Sequence, residues 1–256
     1  MHRDNLLKRL VNRLTAKHVY LTLPRGIEPA QDISRFLPIF QARTVFDVGA
    51  NLGQSAILFL AWFPESKIYC FEPVGETFSQ LQKNFMGNNR IDFFHLAFGH
   101  TSTKGKMLLK GKSEMFTLSK MQEMEASGYD ACRTEEVEVA TIDEFCRAKE
   151  IDRINFLKVD TEGGDLDVLR GAEHMLIEQQ IDVIQVEAGM NQKNKWHIPL
   201  EILKTHLESK DYYLFGIYDQ VNEWPTNEPH LRRSNPIFIS RRVVEENAAA
   251  ALRGMP

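Results

Sequence analysis

The 256-residue chain has no CxxC pair, and its three cysteines, Cys70, Cys132 and Cys146, are odd in number. That excludes a paired disulfide framework and fits the reduced thiols of a cytoplasmic protein. Cys70 sits in an apolar run and reads as a small core residue. None of the eight histidines falls at a zinc-ligand spacing. There is no basic excess either: 31 Lys and Arg face 35 Asp and Glu, a net charge of −4, so no nucleic-acid partner is expected. No apolar run is long enough for a transmembrane segment, and no signal-peptide core is visible. Residues 6–14 carry Leu6, Leu7, Leu10, Val11 and Leu14 with Lys8, Arg9 and Arg13 between them. This is a short basic amphipathic helix, read as packing on the main domain, with peripheral membrane contact as the alternative. Nothing in the pattern indicates an oligomeric state.

What is present is an alternation. Strand-like apolar runs at 44–48, 67–71, 92–98, 154–159 and 182–187 are separated by helical spacing at 54–62, 75–85, 141–149 and 165–176. Continuous apolar strands with helices between them predict an α/β fold, a doubly wound and mostly parallel sheet covered on both faces. Residues 104–118 and 136–140 read as additional strands inserted before the fourth core strand. Near the end, a helix at 200–209 precedes strands at 212–218 and 236–240. These pair as an antiparallel hairpin, joined by a long loop at 219–235 that holds Trp224 and His230. The tail from Glu245 reads as a frayed helix. The domain division is a helical appendage at 1–40, a main domain at 41–242 and a tail at 243–256.

The first βα turn is Phe46-Asp-Val-Gly-Ala-Asn-Leu-Gly53. Gly49 and Gly53 let the backbone come close to a ligand where strand gives way to helix. Asn51 stands where a dinucleotide loop wants its second glycine, which turns the site away from a pyrophosphate. Asp47 would repel phosphate and attract the ammonium of an amino-acid moiety. Glu72 ends the second strand, followed by Pro73, and an acid there accepts hydrogen bonds from a ribose diol. Together these residues point to a nucleoside ligand. Asp160 ends the fourth strand, Glu162 follows two residues later, and Glu187 ends the fifth. Three carboxylates around one crevice suit a general base, or the ligands of a hard cation such as Mg²⁺. Asp165 reads as the N-cap of the next helix. Tyr218, Trp224 and His230 are expected to shape the pocket for an acceptor.

Several stretches resemble the FkbM-type methyltransferases: Val45 to Ser55, Ile68-Tyr-Cys-Phe-Glu-Pro73, Phe156-Leu-Lys-Val-Asp-Thr-Glu-Gly163 and Asp167-Val-Leu-Arg-Gly-Ala172. So do Leu23-Pro-Arg-Gly26, Val139-Ala-Thr-Ile-Asp143, Phe215-Gly-Ile-Tyr-Asp219 and Asn235-Pro-Ile-Phe-Ile239. The similarity runs over roughly residues 20 to 240 and rests on the order and spacing of the motifs. It implies a class I, Rossmann-like methyltransferase with an antiparallel last strand, and S-adenosylmethionine (SAM) as methyl donor. It implies O-methylation of a sugar, glycan, glycolipid or related natural product. The donor-binding set is then Asp47, Gly49, Asn51, Gly53, Gln54, Glu72, Pro73 and Ala97. Asp160 and Glu162 match the family's acidic motif after the fourth strand, and with Glu187 from the fifth they are the expected catalytic residues, with a base preferred over a metal ion. Gly164 departs from the pattern, since many relatives carry a larger residue there. Competing readings are N-methylation, a non-catalytic SAM-binding protein and a NAD-dependent oxidoreductase. The missing GxGxxG loop speaks against the last.

Overall fold

The computed structural model describes residues 23–109, 117–118 and 133–253. The amphipathic segment at 6–14 and Cys132 lie outside them. After helix α1 (Pro29–Phe36) the chain alternates β1 (Thr44–Val48), α2 (Gln54–Trp62), β2 (Lys67–Phe71), α3 (Gly75–Asn84) and β3 (Ile91–Phe94). An inserted set follows: β4 (Ala97–Phe98), β5 (Thr103–Leu109), β6 (Thr117–Leu118) and β7 (Arg133–Ala140). Alternation resumes with α4 (Ile142–Ala148), β8 (Ile154–Val159), α5 (Asp165–Arg170), α6 (Glu173–Ile177), β9 (Ile181–Val186) and β10 (Ala188–Gly189). The chain closes with α7 (Leu200–Glu208), β11 (Tyr212–Glu223), β12 (Glu228–Ser240) and α8 (Arg241–Arg253).

The main sheet runs β3-β2-β1-β8-β9-β12-β11, and β10 continues the line of β9 along β12. Strands β3, β2, β1, β8 and β9 are mutually parallel, while β12 is antiparallel to β9. This is the expected doubly wound α/β class, and the reversed strand is where the motifs imply it. Strand alternation splits the core between the two faces. Phe46, Leu157, Ile184 and Phe238 pack beneath α4 to α7, together with Phe145, Leu169 and Leu203. Val45, Phe156, Val183 and Ile237 pack against Phe59 of α2, Leu81 of α3 and Val243 of α8.

Several expected elements divide. The run 92–98 breaks after Phe94, and Ala97 and Phe98 leave the main sheet to pair with β7 in a second one, ordered β4-β7-β5-β6. The helix expected over 165–176 is interrupted at Gly171, where a side-chain Cβ would sit 2.1 Å from the carbonyl oxygen of Gly99. Thr141 caps α4 by accepting a hydrogen bond from the Glu144 amide at 3.1 Å, half of a capping box. Asp165 is the first residue of its helix rather than its N-cap, which is Gly164.

The loop expected at 219–235 is mostly strand. β11 and β12 continue as a ribbon to a turn at 224–227, with register shifts after Leu214, Tyr218, Val221 and Asn222. Those irregularities break the period-two pattern by which a strand is read from sequence. The described part of the tail packs on the domain: in α8 Val243 is buried, and Asn247 accepts a hydrogen bond from the Ile39 amide at 3.2 Å. Among the described residues no helix is long and apolar enough to cross a membrane.

Phe156 lies in the central strand with its ring 5.3 Å from those of Phe59 and Phe63. Phe156→Ala should cost about 3–5 kcal/mol, read as a lower urea midpoint at unchanged slope.

Candidate functional site

The carboxyl ends of β1, β2 and β8 open onto a cavity of about 680 Å³. It lies at the switch point where the chain leaves β1 for β2 on one side and reaches β8 on the other, the usual ligand crevice of such sheets. Gly49, with φ 79°, lets the first turn pass under the end of β8. A Cβ there would fall 1.9 Å from the carbonyl oxygen of Asp160. The turn is pinned by the amides of Gly49 and Ala50, which both donate to the Phe71 carbonyl, and by the Asp160 amide donating to Val48. Asn51 holds φ 49°, and Gly53 holds φ 93° against the ring of Phe85.

Glu72 is buried, and its two carboxylate oxygens accept hydrogen bonds from the amides of Asn51 and Val74, each at 3.0 Å. Burial nonetheless pushes its carboxyl up to about 7, because those two bonds recover only part of the lost hydration. Glu72, Pro73, Gly49, Asn51, Gln54 and Ala97 all line the cavity. Gly53 sits behind it. Asp47, expected to meet an ammonium, is fully buried below the floor and does not reach the cavity.

Asp47 instead faces Lys158, its direct partner in the parallel register. The ammonium stands 3.5 Å from Asp47 and 3.0 Å from Asp160. Burial alone would depress the lysine, but the two carboxylates outweigh it and hold the cation charged. Burial also raises the Asp47 carboxyl, with Lys158 opposing. For Asp160, burial is outweighed by Lys158, Arg233 and His197, which leave its carboxyl below the usual range.

Glu162 and Asp160 line the far wall, and Glu187 lies just behind it. Glu162 adopts φ 52°, a left-handed geometry costing a non-glycine residue about 1–2 kcal/mol. The indole N–H of Trp196 donates to its carboxylate and fixes it there. Burial and the neighbouring Glu187 push the Glu162 carboxyl up to about 7. Glu187 is gripped by Arg233 on Oε1, while Oε2 lies 2.8 Å from Nε2 of His197. Asp165 is buried beneath them and is likewise raised to about 7, chiefly by burial.

Trp196 and His197 come from the segment after β10. Asn194 shapes that segment by accepting from the amides of Trp196 and His197, at 3.0 and 3.3 Å, and donating to Arg232 of β12 at 2.9 Å. The second sheet supplies the mouth of the cavity through Thr103, Met107 and Val139. Tyr218, Trp224 and His230 do not line the cavity. Tyr218 is buried and donates to Asp32 on the other face, Trp224 is exposed at the ribbon's turn, and His230 stands beside Glu228. Sequence reasoning did not single out Lys158, Trp196 or His197. The signal for Lys158 was a cation inside an otherwise apolar strand.

Residues 47–214 match the family model described as the methyltransferase FkbM domain. The chain belongs to the FkbM methyltransferase family. Members of curated function are distant. One relative is the hexuronic acid methyltransferase AglP of Haloferax volcanii, 26% identical over 66% of this chain and 67% of that one. Another is the 2-O-methyltransferase NoeI of Sinorhizobium fredii, 23% identical over 64% of this chain and 71% of that one. Among solved structures, an rRNA methylase from Streptococcus thermophilus is similar at 10% identity and a TM-score of 0.46, over 87% of this chain and 99% of that one. The parallel sheet with its reversed strand β12 is the class I, Rossmann-like arrangement, and the family match makes the chain a SAM-dependent methyltransferase.

Lys158→Met leaves Asp47 without its cation and should cost about 3–5 kcal/mol in urea unfolding. Adding Asp47→Asn should recover much of that loss, because both fully buried charges are then gone and only the partly exposed Asp160 keeps its own. An additive double variant would refute the pairing.

Proposed function

We propose that this methyltransferase transfers the methyl group of SAM to a hydroxyl of a sugar or glycan. The observation that carries it is a single cavity with two chemically different walls. One is a backbone cradle with a buried acid, and the other is a set of carboxylates beside an indole. The first wall fits SAM. Gly49 leaves no room for a side chain, and both Glu72 oxygens keep a lone pair beyond their backbone bonds. Glu72 holds the ribose, the turn at Gly49 to Asn51 supports the amino-acid end, and Gln54, Pro73 and Ala97 complete the wall. When bound, SAM supplies an electrophilic methyl carbon, so transfer forms an O–CH₃ bond, leaves S-adenosylhomocysteine and releases the hydroxyl proton.

The second wall holds the acceptor. An aliphatic hydroxyl is a poor nucleophile while protonated, so a base must stand within hydrogen-bond reach of it. Asp160 fits that role: it is the most open of the three carboxylates, and Lys158 keeps it charged. Glu162 stands beside the same hydroxyl, Glu187 supports it from behind the wall, and the flat ring of Trp196 suits a sugar face. The relatives' names support the acceptor class, since they include a hexuronic acid methyltransferase and a 2-O-methyltransferase.

Label transfer from methyl-labelled SAM to a saccharide panel, giving an alkali-stable methyl ether, tests the assignment. Label appearing only on amines would overturn it. Asp160→Asn should lower turnover at least about a hundredfold with the SAM dissociation constant unchanged. Turnover near that of the parent would remove Asp160 from its role.

A third outcome concerns pH. The ribose diol donates to the carboxylate form of Glu72, whose carboxyl in the free protein is pushed up to about 7. Binding below that value must expel a proton, so SAM affinity should rise about tenfold between pH 6 and pH 8 in calorimetric titrations. Glu72→Gln should bind more weakly and flatten the profile.

A further inference from the structure

We infer that Glu162, Glu187 and His197 form a binding site for one divalent transition-metal ion, placed to coordinate the acceptor hydroxyl. The inference rests on the acceptor wall proposed above and deepens it. The donor atoms of these three residues lie within 4.8 Å of one another. Nε2 of His197 stands 2.8 Å from Glu187 and 3.7 Å from Glu162. Two ligands held about 2.1 Å from a common ion at right angles are about 3.0 Å apart, so these spacings suit one ion.

An independent observation points the same way. Oε2 of Glu187 is buried and accepts no hydrogen bond, although the His197 ring nitrogen is within reach. A buried carboxylate oxygen that accepts no hydrogen bond is costly, and a cation held between it and the His197 nitrogen would satisfy it. Each ligand is also oriented from outside: Glu162 by Trp196, Glu187 by Arg233, and Nδ1 of His197 by Asn194. Outer partners of this kind are the common companions of metal ligands.

The donor set selects the metal. One imidazole with two carboxylates favours Mn²⁺ or Zn²⁺ over Mg²⁺, which prefers oxygen alone. Asp160, part of the hard-cation set suggested by sequence, is occupied by Lys158, and His197 takes its place. Glu162 and His197 line the cavity, so the ion's remaining positions face the acceptor. An ion there would lower the pKa of a coordinated hydroxyl, whose proton would pass to Asp160 as the O–CH₃ bond forms and the S–CH₃ bond of SAM breaks to leave S-adenosylhomocysteine.

The test uses the full chain stripped with a chelator and titrated with MnCl₂, followed by the electron paramagnetic resonance of free Mn²⁺ and by thermal unfolding. The expected result is one Mn²⁺ per chain and a raised Tm. His197→Ala should weaken binding at least about a hundredfold, and so should Glu162→Gln, on the partly exposed ligand. Methyl transfer should vanish on stripping and return with Mn²⁺. Absence of Mn²⁺ and Zn²⁺ binding at about 1 mM, or equal binding in both variants, would overturn the site. SAM affinity in the same samples separates the two levels. Retained SAM binding without metal binding sinks the metal site alone, whereas loss of SAM binding sinks the site assignment beneath it.

Discussion

Lys158 lies directly opposite Asp47 in the central pair of strands, and its ammonium reaches up to Asp160 at the rim. Two buried charges would be prohibitive singly, yet Asp47 and Lys158 with the partly exposed Asp160 leave one negative charge, and it is directed toward the crevice. The same row runs on to Cys70 and Gln185 on the flanking strands, so a polar seam crosses an otherwise apolar sheet. The seam fixes the register of β1 against β8. That register in turn brings Gly49 under Asp160, where the proposed donor turn and acceptor wall meet.

The donor half was readable because its parts are local. The glycine turn, Glu72 and the resumption of alternation lie within one βαβ unit, where strand period and helix period alternate cleanly. Asp47 belonged to the recognised pattern, but its role did not follow from the pattern. A carboxylate at the end of an apolar strand looks the same whether it faces a ligand or a lysine from a strand more than a hundred residues away. The register that decides between them is tertiary information.

The acceptor half was far less legible. Trp196 and His197 sit in a polar stretch with no periodicity, and their orientation depends on Asn191 and Asn194 bonding across to β12. The ribbon of β11 and β12 looked like a loop because its bulges interrupt the alternation of side chains. Aromatic residues in that supposed loop attracted a pocket role they do not have. Tyr218 spends its hydroxyl on Asp32, and Trp224 stacks with Arg232 at the exposed turn.

The two halves also differ in how they are held. Donor residues sit on short turns anchored by backbone hydrogen bonds to neighbouring strands, so their geometry is set by the sheet itself. In the proposed acceptor wall Asp160, Glu162 and Glu187 follow core strands, whereas Trp196 and His197 are borne on the segment after β10, tied to β12 by the Met190 amide and by the side chains of Asn191 and Asn194. Substitutions in this attached segment can reshape the acceptor wall while Gly49, Glu72 and the Lys158 row stay fixed. Glu187 is the joint between the two regimes. It ends a core strand, Arg233 holds it from the returning ribbon, and its free oxygen faces His197 on the attached segment. A cation at that joint would fasten the attached segment to the sheet where the acceptor hydroxyl must be held against the methyl carbon.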